Sequence, residues 1–165
     1  MSCCLGGQVR HTAMNIGIWI SECRVKGMGR DNAEVIAMIQ RFQGQELDAH
    51  YLAFFECFNE GLFFEAHEVL EKLWLRQRKE PNGPFYKGLI QLAGAFVHLR
   101  KDRLRPARAL FELARANLEG YAPVHDRLDV KRVVELINNW RRQLDEGDFR
   151  VNPIKGNSSP EINLN

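Results

Sequence analysis

From Leu47 to Leu144, apolar side chains recur at three- and four-residue spacing, broken at intervals by clusters of helix-stopping residues, and that pattern fits packed α-helices and little else. Tyr51, Leu52, Phe55 and Phe58 form one stripe, which Asn59-Glu60-Gly61 interrupts. Ala66, Val69, Leu70 and Leu73 form the next, stopped by Pro81-Asn82-Gly83-Pro84. A third runs from about Phe85 to Arg100 with Leu89, Leu92, Ala93 and Phe96 inward. Pro106 suits the first turn of a fourth helix, which buries Ala107, Leu110, Phe111 and Ala114. Asp129 caps a fifth, carrying Val133, Val134, Ile137 and Trp140. Ahead of these, Asp31 and Glu34 form a capping pair opening a short helix with Val35, Ile36, Ile39 and Phe42 on one side.

Sliding the chain by about 41 residues superposes Phe55 on Phe96, Phe58 on Leu99, Phe63 on Leu104, Ala66 on Ala107, Val69 on Leu110 and Glu71 on Glu112. Each unit reads as a helix, a tight turn and a second helix, with a tetratricopeptide-like pairing. Two such units are too few for an open solenoid. The expected fold is therefore all-α, a compact bundle of helical hairpins with five to six helices.

The 165 residues suit one core, with residues 31–146 as a single helical domain. Residues 1–30 hold five glycines and three of the four cysteines without sustained periodicity, and read as a poorly ordered extension. Residues 147–165, rich in Asn, Ser, Gly and Pro, read as a disordered tail. A formal charge of +2 gives no strong pull toward nucleic acid or membrane. Arg103, Arg105, Arg108, Arg115, Lys131, Arg132, Arg141 and Arg142 are interleaved with Glu112, Glu119, Asp126, Asp129 and Glu135, the pattern of a solvated helix face. Cys3, Cys4, Cys23 and Cys57 form no CxxC pair, and the apolar run Ile16–Ile20 is too short to span a bilayer; the expected location is the cytoplasm. Phe63, Phe64 and Trp140, read as exposed aromatics, permit a homodimer.

One polar constellation stands beside these stripes. His67, Glu71 and Trp74 lie at i, i+4 and i+7, on one face of the second long helix. Lys87, Gln91 and His98 lie at i, i+4 and i+11 on the third. If these helices are antiparallel neighbours, the two rows can face each other across a groove. Histidine and carboxylate one turn apart can hold a divalent metal with His98 as a further ligand. They can also form an oriented general base, Glu71 raising the imidazole pKa. Trp74 can wall an apolar or stacking ligand.

The string Phe58-Asn59-Glu60-Gly61-Leu62-Phe63-Phe64-Glu65-Ala66-His67-Glu68-Val69-Leu70-Glu71-Lys72-Leu73-Trp74 resembles the hallmark of domain of unknown function 309, small helical proteins with an HxxxExxW motif. Gly88-Leu89-Ile90-Gln91 followed by His98 resembles that family's second signature. The resemblance covers about Leu47 to Leu144, and Lys101-Asp102-Arg103 stands where the family would place a Gly-Asn turn. It implies a bundle of hairpins with His67, Glu71, Trp74 and Gln91, joined by His98 and Glu65, gathered at one internal groove. It implies no established activity, so whether the chain is an enzyme stays open.

Three readings follow. In the first, the groove binds a small polar ligand or a peptide through His67, Glu71, Trp74 and Gln91, with Glu65, Lys87 and His98 beside them. In the second, a divalent metal on His67, Glu71 and His98 makes the protein a metal-dependent hydrolase. In the third, the polar residues are a structural network within a tetratricopeptide-like protein-interaction scaffold.

Overall fold

The computed structural model describes residues 32–157 and 159–165. The expected extension at 1–30 and the Asp31 half of the capping pair lie outside the described residues. Six α-helices are present among the described residues: α1 (Asn32–Arg41), α2 (Ala49–Asn59), α3 (Phe63–Gln77), α4 (Gly83–Arg100), α5 (Leu104–Leu118) and α6 (Val130–Glu146). Their starts follow local chemistry. The Asp48 carboxylate accepts from the His50 amide at 2.8 Å at the head of α2, and Asp129 accepts from the Arg132 amide at 2.9 Å at the head of α6.

The helix-turn-helix repeat read from the sequence is present in the backbone. At the end of α2 the Gly61 amide reaches the Phe58 carbonyl at 2.9 Å and the Leu62 amide reaches Cys57 at 2.8 Å. Forty-one residues on, Asp102 bonds to Leu99 at 3.0 Å and Arg103 to His98 at 2.9 Å. Both are the paired closure of a Schellman turn, and both put one residue in the left-handed region, Gly61 at φ 74° and Asp102 at φ 57°. Lys101-Asp102-Arg103 therefore makes the same turn as the glycine-containing one, because aspartate tolerates that region better than most residues.

The central helix is α4, buried on nearly every side from Phe85 to Leu99 with Lys87 half-exposed. Phe96 sits at its core. Its ring lies 5.5 Å from Phe58 of α2, 4.9 Å from Phe63 of α3, 5.2 Å from Phe111 of α5 and 5.0 Å from Trp140 of α6. Phe63 and Trp140, expected on the surface, are thus buried, and Phe64 is half-buried. They fill the space between the hairpins, so the patch proposed for a homodimer is mostly core. Gly88 lets α5 approach α4: a Cβ there would lie 2.7 Å from Leu118 Cγ.

Two features went unread in the sequence. Val124–His125 pairs antiparallel with Leu128–Asp129 through a two-residue turn, with Asp126 at φ 44° and Arg127 at φ 62°. The segment after Gly147, expected to be disordered, packs back on the bundle. Asn152 is buried and donates to the Leu99 carbonyl at 2.6 Å. Asn59 binds Ile162 in both directions, at 2.9 and 2.8 Å, and Leu164 bridges to Leu128. A polar composition misreads such a segment when a few apolar anchors and backbone pairs hold it. Ile162→Ala is expected to lower stability by about 2 kcal/mol, read from urea unfolding, because it empties a buried position. A loss below the measurement error would mean that the tail does not contribute to the folded state.

The arginine-rich face is largely neutralised as expected. Glu112 sits among Arg108 (3.2 Å), Arg115 (2.9 Å) and Arg141, while Asp145 holds Arg108 at 3.2 Å. No helix among the described residues is long and apolar enough to cross a membrane.

Candidate functional site

The α3–α4 hairpin turns about Glu80, midway between Gln77 and Gly83, so residues equally far from that point lie level. His67 is level with Ala93, Glu71 with Leu89 and Trp74 with Tyr86. The stacking of Phe63 on Phe96 fits this register. On α3 the row His67, Glu71, Trp74 occupies one flank of the buried face. Glu65 lies about 200° around the helix from His67. It is buried, only 5% exposed, on the opposite flank, the side that carries Arg76 toward Asp48 of α2. Glu65 thus does not share a face with the motif row.

On α4, Lys87, Gln91 and His98 do form one row. Gln91 is buried, and its Oε1 accepts from Asn117 Nδ2 of α5 at 2.8 Å, which leaves its amide N–H groups as the face's donors. The hairpin register sets His98 five residues beyond the one level with His67, about 7 Å along the axis. Among the described residues no three His, Cys, Asp or Glu side chains are grouped so that they could hold a metal ion. The set His67, Glu71 and His98, read as a divalent-metal site, is therefore not assembled in this arrangement.

Burial dominates the electrostatics. His67 is 3% exposed, and loss of hydration lowers its pKa from 6.5 to about 4. Glu71 was expected to raise it, but the carboxylate lies further toward solvent and does not offset the burial. His98 is lowered to about 4 by burial first, then by the Arg103 and Lys101 charges. Both imidazoles are neutral at pH 7. Glu71 behaves oppositely: partial burial and then the neighbouring Glu68 charge push its carboxyl above the usual range. Glu71, Trp74 and Lys87 are all half-buried, whereas His67, Gln91 and His98 are buried.

Both motifs fall within a recognised family segment. Residues 51–110 match the model of the family described as Domain of unknown function (DUF309). Over this segment the chain is similar to that family. The expected reach of 47–144 extends beyond the match on both sides. The uncharacterized protein YpuF of Bacillus subtilis (strain 168) is 31% identical over 85 residues, covering 50% of this chain and 49% of the relative. The chain thus spans about half the length of the curated relative it matches. No solved structure matches it.

The two hairpins of the repeat differ in one informative way. The 41-residue shift carries His67, Glu71 and Trp74 onto Arg108, Glu112 and Arg115. In the second hairpin that slot is a closed ion lattice, and Arg115 first, with Arg141 and Arg108, holds the Glu112 carboxyl below its usual range. In the first hairpin the same glutamate position has no cation or hydrogen-bond donor upon it among the described residues. Lys87 of α4 is likewise engaged by no carboxylate among them.

A second polar cluster, unread in the sequence, closes the other end of the helical hairpins. Asn82 Nδ2 donates to Asp126 Oδ2 at 3.0 Å, and His125 Nε2 lies 3.0 Å from Asn82 Oδ1. The Tyr51 hydroxyl donates to the Asp126 carbonyl at 3.2 Å, and burial pushes its pKa up, so it stays a donor. Every member has a partner. The cluster ties α2 and α4 to the β-hairpin, and only the coincidence of distant residues reveals it.

Proposed function

We propose that the protein is a binding module whose α3–α4 groove holds a small ligand or peptide end carrying both an ammonium and a carboxyl or carbonyl group. The observation that carries this reading is the half-buried Glu71 carboxyl, without a donor among the described residues, at the position where the second hairpin neutralises Glu112 with arginines. A carboxyl kept partly from water and left without a donor gains most from a ligand that brings one. Trp74, one turn along, offers an apolar wall to the ligand's body and a ring face to its cation. Lys87 on the facing helix supplies the complementary charge, and neutral His67 and the Gln91 amide supply hydrogen bonds from below.

Amide-resolved NMR titration with leucine, leucine amide and N-acetyl-leucine tests the reading. Leucine and leucine amide are expected to shift signals of residues 67–74 and 87–91, and Glu71→Gln is expected to weaken both by about tenfold. N-acetyl-leucine, without the ammonium group, is expected to bind most weakly. Shifts confined to other surfaces, or equal binding by Glu71→Gln, would refute it.

The same variant carries a stability prediction. A carboxyl with a raised folded pKa binds more protons folded than unfolded, so stability falls as pH rises from the ordinary carboxylate range through that raised value. Glu71→Gln removes this penalty. Its Tm at pH 7 is expected to equal or slightly exceed that of the parent, with no gain at pH 4.

A further inference from the structure

The cations at the two ends of α5 differ in how closely carboxylates hold them. Arg108, Arg115 and Arg141 are held by Glu112, Glu119 and Asp145. By contrast, no carboxylate among the described residues lies in salt-bridge range of Arg105, which lines a cleft between the head of α5 and the folded-back tail. The cleft, about 830 Å³, is lined by the cations Arg105, Arg150 and Lys155 against one carboxylate, Asp102. Asp102 is already engaged by Lys155 and by Asn152 at 2.8 Å. Arg150 reaches Asp148 at 3.2 Å, but both are largely exposed, so that pair screens its charge weakly.

The cleft is also shaped. The Arg105 guanidinium lies over the Phe149 ring at 4.5 Å, which fixes its plane and leaves its outward edge open. To bring Phe149 beneath it, the chain places Asp148 at φ 45° and Phe149 at φ 55°. Positive φ in a bulky aromatic residue is unfavourable and persists only where surrounding contacts demand it. A planar guanidinium held on a ring, with an ammonium and a second guanidinium around the same hollow, matches adjacent phosphate groups better than a single carboxylate. A volume of this size accommodates a small molecule.

We propose that this cleft binds a diphosphate-bearing small ligand, with Arg105, Arg150 and Lys155 as its phosphate contacts. The site is independent of the α3–α4 groove and shares none of its residues.

The test is titration of the full chain with inorganic pyrophosphate, followed by calorimetry and amide NMR at low and moderate salt. Saturable shifts at residues 101–105 and 149–156 are expected. Arg150→Glu, at a side chain 82% exposed, is expected to weaken binding by about tenfold without lowering Tm. Arg132→Glu, an exposed cation on α6, is the charge-matched control and is expected to leave the affinity within about twofold. No shifts at millimolar pyrophosphate, or equal weakening by both variants, would overturn the proposal, the second by reducing it to diffuse charge. A short single-stranded oligonucleotide at equal phosphate concentration forms the other arm. Tighter binding by the oligonucleotide, with shifts spreading beyond the cleft, would also overturn it in favour of a nucleic-acid surface.

Discussion

Between pH 6.5 and pH 4 the folded protein is expected to lose several kcal/mol of stability, chiefly through His67 and His98. Both imidazoles are buried and have folded pKa values lowered from 6.5 to about 4. Within that interval the unfolded chain takes up protons at these positions and the folded chain does not, so stability is intact above pH 6.5 and falls as the solution is acidified. A shift of this size corresponds to about 3 kcal/mol for each ring. Together they amount to a large share of the roughly 5–15 kcal/mol that holds a typical domain folded. Urea midpoints across pH 4–8 would read the effect directly. His67→Gln removes one titrating ring and is expected to lower the slope by about half. A slope equal to that of the parent would mean that His67 is protonated in the folded state.

That expectation bears on the proposed groove as well. A ring that stays neutral at pH 7 serves as hydrogen-bond donor and acceptor, or as a metal ligand, but not as a cation for an anionic ligand. Charge at the proposed groove therefore comes from the half-buried Glu71 and Lys87. Ligand affinity is expected to follow the ionisation of Glu71 and to change little through the ordinary histidine range.

The helices were legible because their cause is local. Apolar spacing, Asp48 and Asp129 as caps, and the Pro81–Pro84 stop act within a turn or two of the residues they control. The 41-residue repeat was legible for a related reason: the Gly61 and Asp102 turns need the same hydrogen bonds, so the same kinds of residue recur around them. The β-hairpin was not legible. Its turn residues, Asp126 and Arg127, lack the Asn-Gly signature, and their conformation is held by remote partners, Asn82 and the Asn165 backbone. The tail was misread for the same reason, since Asn59 and Leu128, which anchor it, lie far away in sequence.

The candidate site divides along that line. Helical spacing placed His67, Glu71 and Trp74 on one flank and Lys87, Gln91 and His98 on one row. Spacing does not carry depth. That His67 and His98 lie inside, that Gln91 is turned to Asn117, and that Glu65 faces α2 depend on how helices pack. The arginine list shows the same limit. Charge alternation foretold the lattice around Glu112, but only the returning tail gathers Arg105, Arg150 and Lys155.

Phe96→Ala is expected to destabilise the protein by about 3–5 kcal/mol, more than any substitution in the groove. The ring contacts Phe58, Phe63, Phe111 and Trp140, which belong to four different helices and to both hairpins. Truncation would open a cavity that none of those helices can close without drawing away from another. Because one ring joins both repeats, unfolding of the parent is expected to be a single transition, with fluorescence and circular dichroism midpoints coinciding. Phe96→Leu keeps most of the volume and is expected to lose less than half as much. Two separate transitions in the parent, or a loss under about 1 kcal/mol for the alanine variant, would mean that the hairpins fold as independent units. The contrast with Glu71→Gln then separates the two roles of this helix pair. The inward ring is required for the fold, while the half-buried carboxyl at the groove edge opposes it slightly at neutral pH. A half-buried carboxyl that opposes the fold at neutral pH suits the binding role proposed for it.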